Sequence, residues 1–290
     1  MVSFENPGQI IDALERQQYV AESEFATAIY LLLKLHKPLL LEGPPGVGKT
    51  EIAIVLARLL NTELIRLQCY EGLDVNAAVY EWNYQKQLLG IKLQEGSGLS
   101  VEEKEKHIFG HDYLLERPLL RSIMATDQPP VLLIDELDRS DEEFEAFLLE
   151  LLSAFQISIP EIGTIKAKHK PLVILTSNRT RELSDALKRR CLYHWIDYPD
   201  LEKEMRIVKK HLPGIEENLL KQVVHAVQQF RDRKLVKIPG VSETIDWAES
   251  LLALGYRDLN AVSFDQTLGC ILKSAEDINQ VRAENVDVFI

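Results

Sequence analysis

Residues 43–50 read GPPGVGKT: three glycines, two prolines and a single lysine, directly after the apolar run Pro38-Leu39-Leu40-Leu41. Gly43 is followed, after four residues, by Gly48-Lys49-Thr50. Glycines let successive backbone N–H groups turn inward around a phosphate, a lysine reaches the β and γ oxygens, and a hydroxyl ligates Mg2+. The flanks suit such a loop. Residues 38–41 predict a short buried strand and residues 50–60 a helix, whose positive N-terminal end adds to an anion site. The candidate nucleotide-binding residues are Gly43, Pro44, Pro45, Gly46, Val47, Gly48, Lys49, Thr50 and Glu51, with Thr50 also a magnesium ligand. A glycine-proline turn without a ligand is the competing reading, and the strand-loop-helix context weighs against it.

A phosphate loop alone does not separate kinases, transporters, GTPases and motors. Val131-Leu132-Leu133-Ile134-Asp135-Glu136 narrows the choice. Its continuous apolar run predicts a parallel strand covered on both faces, and ligand chemistry in open α/β sheets lies at the carboxyl ends of such strands. Asp135 can hold Mg2+ and Glu136 can polarise an attacking water, which is a hydrolase arrangement. No Asn-Lys-x-Asp pattern for guanine is present, so ATP is favoured over GTP. Leu172 to Asn178 predicts a neighbouring strand. Asn178 is either an amide beside the same water or an ordinary strand-end polar group. Arg189 and Arg190, at a helix end before a strand, either cap carbonyls or supply a transition-state cation to a neighbouring subunit.

The 290 residues carry 33 Lys+Arg against 45 Asp+Glu, a net charge of −12, which disfavours a duplex nucleic acid partner. MVSFENPGQI lacks the charged and apolar regions of a signal peptide, and residues 28–41 are too short and too interrupted to span a bilayer. Cys69, Cys191 and Cys270 are far apart and without metal spacing, so buried free thiols in a cytoplasmic protein are expected. No protein-bound metal beyond Mg2+ is expected from the scattered histidines.

The expected fold class is α/β: a parallel sheet between helices carrying the phosphate loop, followed by a small α-helical lid. The boundary is placed near 198, giving domains 1–198 and 199–290. Helices are expected over 5–35 with a break near Tyr19, and strands over 63–67, 131–136, 172–178 and 191–196. Residues 73–82 predict a helix start, and 72–121 are otherwise irregular, containing Gly90, Gly96-Ser97-Gly98 and VEEKEKH. Residues 156–167 predict a hairpin. Ser140 and Glu143 are expected to form a capping box ahead of the apolar stripe from Phe144 to Phe155, with the run 141–145 as a solvated acidic face. In the second domain, helices are expected over 201–210, 215–233, 243–254 and 260–275, with Ser242 as a cap and Gly255 as a stop.

The set GPPGVGKT, VLLIDELD, LTSN and LKRRC, in this order and spacing, resembles the AAA+ ATPases. Within them the chain is similar to the MoxR family and to its CoxD-like subgroup, linked to maturation of a molybdenum-copper carbon monoxide dehydrogenase. The resemblance implies that residues 43–50 are Walker A, Asp135 and Glu136 Walker B, and Asn178 sensor 1. It implies an arginine acting in trans at Arg190, with Arg189 the second candidate. Residues 85–120 would be the helix-2 insert and 156–167 the pre-sensor-1 insert. It further implies a hexameric ring with ATP between subunits, a protein client, a partner with a von Willebrand factor A domain, and client remodelling during metal-cofactor insertion.

One departure stands out. Where the family's lid carries a sensor 2 arginine, this chain reads Gly240-Val241-Ser242-Glu243-Thr244, so Thr244 brings no charge; Arg231, Arg233 and Lys237 are the substitutes in reach. Tyr70 follows the second strand, where many AAA+ motors present an aromatic pore loop, yet the expectation here is that Tyr70, Tyr80, Trp82 and Tyr84 pack. The leading function is an ATP-hydrolysing chaperone. A nucleic acid motor or loader and an ATP-gated scaffold with little turnover are the alternatives.

Overall fold

The computed structural model describes residues 4–95, 98 and 100–289, without the side chains of Val75 and Asn76; Gly96 and Ser97 of the glycine-serine stretch lie outside the described residues. In chain order the elements are α1 (Pro7–Arg16), α2 (Ser23–Leu35), β1 (Leu39–Glu42), α3 (Glu51–Leu60), β2 (Leu64–Gln68), α4 (Val75–Ala78) and β3 (Tyr80–Trp82). There follow α5 (Tyr84–Leu93), α6 (Val101–Ile108), β4 (Leu114–Glu116), α7 (Pro118–Met124), β5 (Val131–Asp135), α8 (Glu142–Ala154), β6 (Gln156–Ile159) and β7 (Gly163–Lys166). Then come β8 (Leu172–Ser177), α9 (Asp185–Lys188), β9 (Leu192–Trp195), α10 (Leu201–His211), α11 (Glu217–Arg231), α12 (Val241–Ala253), α13 (Ala261–Ile271) and α14 (Ala275–Arg282).

Two compact units result. The first takes residues 1–4, 27–42 and 53–194; the second takes 5–26, 43–52 and 195–290. The first contains a five-stranded sheet ordered β2-β5-β8-β1-β9, in which β2 with β5, β5 with β8, and β8 with β1 run parallel. Every residue of β1, β5 and β8 is buried, as strands covered on both faces must be. The register sets Gln68 opposite Asp135 and Glu42 opposite Ser177, which gathers the polar strand ends at one edge of an apolar sheet. The second unit is helical around Phe230, Trp247, Phe264 and Phe289, whose rings meet at 5.1 to 6.2 Å.

Several local expectations change. The helix start at 73–82 is only the single turn α4, and Tyr80–Trp82 instead forms β3, antiparallel to β4. VEEKEKH lies in α6, capped by Ser100 and Glu103 acting on each other's backbone N–H. The cap of α8 is Asp141, whose carboxylate accepts from the Phe144 amide at 2.8 Å, while Ser140 donates to Leu137 O. Glu145 is not on a solvated face. It is buried, paired with Arg181 at 2.5 Å, and accepts from the Ser184 amide at 2.9 Å. Gly240 rather than Ser242 begins α12, its amide donating to Glu243 at 3.0 Å. The helix expected over 260–275 stops at Ile271, and α14 follows it. Cys69 is buried and free, whereas Cys191 and Cys270 are free and half-buried.

Candidate functional site

The loop between β1 and α3 turns through Gly46 and Gly48 at φ +75° and +90°, a left-handed conformation that any side chain strains. At Gly43 the constraint is space, since a Cβ there would sit 2.0 Å from the Ile196 carbonyl oxygen. The loop rests on the start of α12. The amides of Val241 and Ser242 donate to Gly46 O at 2.9 and 3.4 Å, and a Cβ on Gly240 would lie 2.8 Å from Gly46 Cα. Lys49 is buried and its ammonium donates to the carbonyls of Gly43 and Pro44 at 2.7 and 2.6 Å. Thr50 is half-buried ahead of α3, and Glu51 is exposed in its first turn. Burial first, and the Glu51 charge second, push the Tyr19 phenol up.

Asp135 and Glu136 belong to the other unit, together with Asn178, Arg189 and Arg190. The Asp135 side chain is 3% exposed; its Oδ1 accepts from Thr176 Oγ1 at 2.6 Å, and its Oδ2 from Arg66 Nε and Nη2 at 3.1 and 2.6 Å. The same Thr176 oxygen accepts from the Glu136 amide at 2.8 Å. Glu136 adopts φ 53°, ψ 49°, a left-handed backbone that costs a non-glycine residue about 1–3 kcal/mol and recurs at functional sites. Its carboxylate is one-third exposed, with Arg139 Nη1 at 3.4 Å. Nearby, burial and then the charges of Asp135, Asp138 and Glu136 push the Cys69 thiol up to about 12.

Each unit, taken by itself, carries groups chemically suited to part of a magnesium nucleotide. A loop closed to a Cβ at Gly43 and turned left-handed at Gly46 and Gly48, with a buried lysine at its end, suits phosphate oxygens. Thr50 in one unit and Asp135 in the other are each hard oxygen donors of the kind Mg2+ takes.

Asn178 follows β8, half-buried, and its amide makes no hydrogen bond among the described residues. Arg190 is exposed and donates to Ser153 Oγ and Ala186 O, both at 2.9 Å. Arg189 is exposed and its guanidinium has no hydrogen-bond partner among the described residues. Thr244 is fully buried: its hydroxyl donates to Glu204 Oε1 at 2.7 Å and to Gly240 O at 3.1 Å. Of the three cations considered as substitutes for it, the two arginines are committed elsewhere. Arg231 holds Glu204 through two nitrogens and stacks on Tyr198 at 4.6 Å, while Arg233 pairs with Glu284 and stacks on Phe289.

Sequence reasoning missed Thr176, which joins the Asp135 carboxylate to the Glu136 backbone amide, and Arg66 as the partner of Asp135. The one available signal was a charge inside the strand LIRLQ. It also misjudged two aromatics: Trp82 is buried, Tyr80 is half-buried, but Tyr70 is 50% and Tyr84 66% exposed. No helix among the described residues is long and apolar enough to cross a membrane.

An uncharacterized protein of Staphylococcus epidermidis is 26% identical over 208 residues, 69% of this chain and 70% of its own length. The gas vesicle ATPase GvpN of Haloferax mediterranei is 23% identical over 295 residues, 93% of this chain and 79% of its own. A solved structure of a Thermotoga maritima RuvB mutant is 17% identical, covering 92% of this chain and 70% of that one, with a TM-score of 0.48. Residues 38–191, from the start of the phosphate-loop strand to the cysteine after Arg190, match the AAA domain, dynein-related subfamily, and with just over half of its 290 residues so matched the chain belongs to that family.

Proposed function

We propose that the chain is an ATP-hydrolysing AAA+ protein of MoxR type, CoxD-like, acting in the cytoplasm as a hexameric chaperone that remodels a protein client. The observation that carries the hydrolase reading is Glu136: it spends backbone strain to hold a partly exposed carboxylate beside a buried one. Lys49 and the backbone N–H groups of residues 43–50 bind the phosphates. Thr50 and Asp135 would hold Mg2+, which would supply positive charge against the phosphates. Glu136 accepts the proton of a water whose oxygen bonds to the γ-phosphorus as the bond to the bridging oxygen of ADP breaks, giving ADP and phosphate. Asn178, its amide uncommitted, orients that water. Arg190 or Arg189 reaches the ATP of a neighbouring copy. Arg190, the first candidate, must leave Ser153 and Ala186 to do so, whereas Arg189, the second, has no such bonds to break.

The name of the GvpN relative supports ATP hydrolysis, and the MoxR and CoxD-like assignment rests on the sequence motifs. A von Willebrand A-domain partner and metal-cofactor maturation belong to the same reading. The exposed Tyr70 supports client contact, and the −12 charge counts against nucleic acid. The test is Glu136→Gln, which keeps ATP binding and loses phosphate release by about a hundredfold or more. Unchanged release overturns the assignment of Glu136. A second reading, an ATP-gated scaffold, is favoured by the buried, uncharged Thr244. It wins if the unmodified chain holds ATP and releases no more phosphate than Glu136→Gln.

A further inference from the structure

We propose that Arg66 is a placeholder cation on Asp135, displaced when magnesium-bound nucleotide arrives, so that it sets the magnesium concentration at which the chain binds ATP. The inference rests on the reading above that Asp135 serves Mg2+. Its basis is an imbalance in the Arg66–Asp135 pair. Asp135 is 3% exposed and Arg66 52% exposed, at 2.6 Å from Nη2 to Oδ2. A buried carboxylate left without a partner is costly, so some cation must accompany Asp135 when no metal does. Arg66 meets that need from a side chain half in water, which leaves at little cost.

The occupancy of the carboxylate supports competition rather than coexistence. A carboxylate offers about four lone-pair sites. Two N–H groups of Arg66 converge on Oδ2 and the Thr176 hydroxyl takes one site on Oδ1. A divalent ion on the same group would also lie within a few ångströms of the guanidinium charge, and at that range like charges near a protein surface repel strongly. Arg66 has a resting place beside the carboxylate. On β2, Arg66 and Gln68 are two residues apart and share a face, and Arg66 Nη2 already donates to Gln68 Oε1 at 2.6 Å. Gln68 lies opposite Asp135 in the β2–β5 register, two residues before the exposed Tyr70. Releasing Arg66 thus alters the end of the strand that leads into that loop.

The experiment titrates Mg2+ against binding of a non-hydrolysable ATP analogue to the full-length chain, read by calorimetry, for the unmodified protein and Arg66→Gln. Removing the competitor lowers the half-saturating Mg2+ concentration by about fivefold or more, with little change in binding of the analogue without metal. Arg66→Lys keeps the charge but loses the two-nitrogen grip on Oδ2, and a smaller drop is expected; should Arg66→Gln fail to fold, the absence of any drop in Arg66→Lys overturns the proposal. An unchanged or raised Mg2+ requirement in folded Arg66→Gln also overturns it and identifies a purely structural pair. Failure of the unmodified chain to bind the analogue at any Mg2+ concentration would instead remove the nucleotide reading itself.

Discussion

Two arginine–carboxylate pairs, one in each unit, have the same closest approach, 2.6 Å, and opposite surroundings. Arg231 and Glu204 are 6% and 0% exposed. Glu204 accepts from Arg231, Gln228 and Thr244, so α10, α11 and α12 are joined at one carboxylate, and Arg231 further donates to Pro239 O. Arg66 and Asp135 are 52% and 3% exposed, with the arginine on the edge strand of the sheet. Distance alone therefore says nothing about role. A pair closed to water on both sides locks helices, whereas a pair open on its cationic side can be exchanged for another cation.

The comparison can be broken at its strong end first. Arg231→Ala leaves Glu204 buried and uncompensated, and a loss of about 3–5 kcal/mol in urea unfolding is expected. Replacing both partners together with apolar residues should recover most of it, because the penalty lies in the orphaned charge. Thr244→Val removes one hydroxyl from the same carboxylate; about 1–2 kcal/mol is expected, without a change in nucleotide affinity beyond that loss of stability. Arg66→Gln should cost about 1–2 kcal/mol, less than Arg231→Ala, because the buried Asp135 loses its arginine but keeps the Thr176 hydroxyl and gains water from the half-exposed side where the guanidinium stood. Equal losses for Arg231→Ala and Arg66→Gln would erase the distinction.

The smallest effect concerns the thiol beside Asp135. Because the folded state raises the Cys69 pKa from about 9 to about 12, protonated Cys69 favours folding below pH 9, and that contribution is lost as pH rises through this window. Stability should therefore fall on the alkaline side, less steeply in Cys69→Ala, and iodoacetamide at pH 8 should spare Cys69 until the chain is unfolded.

Much of the local structure around the candidate site was legible because its signals are local. The loop 43–50, the run 131–136 and the strand 172–178 each announce backbone conformation and chemistry within a few consecutive residues. Misreadings fell where a residue's surroundings come from distant chain. Glu145 looked like one more charge in an acidic run, but Arg181 and Ser184 bury it. Ser140 looked like a cap by spacing, and Asp141 does the capping because Ser140 is turned to Leu137. Thr244 stood where the resemblance leads one to expect a cation. The structure buries it completely, with its hydroxyl turned to Glu204 and to the Gly240 carbonyl.

The amino-acid order by itself determined the strand-loop-helix phosphate motif, the acidic end of β5 and the succession of an α/β region by a helical one, since glycine placement and hydrophobic period act over a handful of neighbours. Only the tertiary structure decided which carboxylate each arginine meets, that Thr176 clamps Asp135 and Glu136 together, and that the phosphate loop rests on Gly240. Those outcomes depend on burial and on partners tens to hundreds of residues away, and a charge acquires its role from the water it loses as much as from the neighbour it gains.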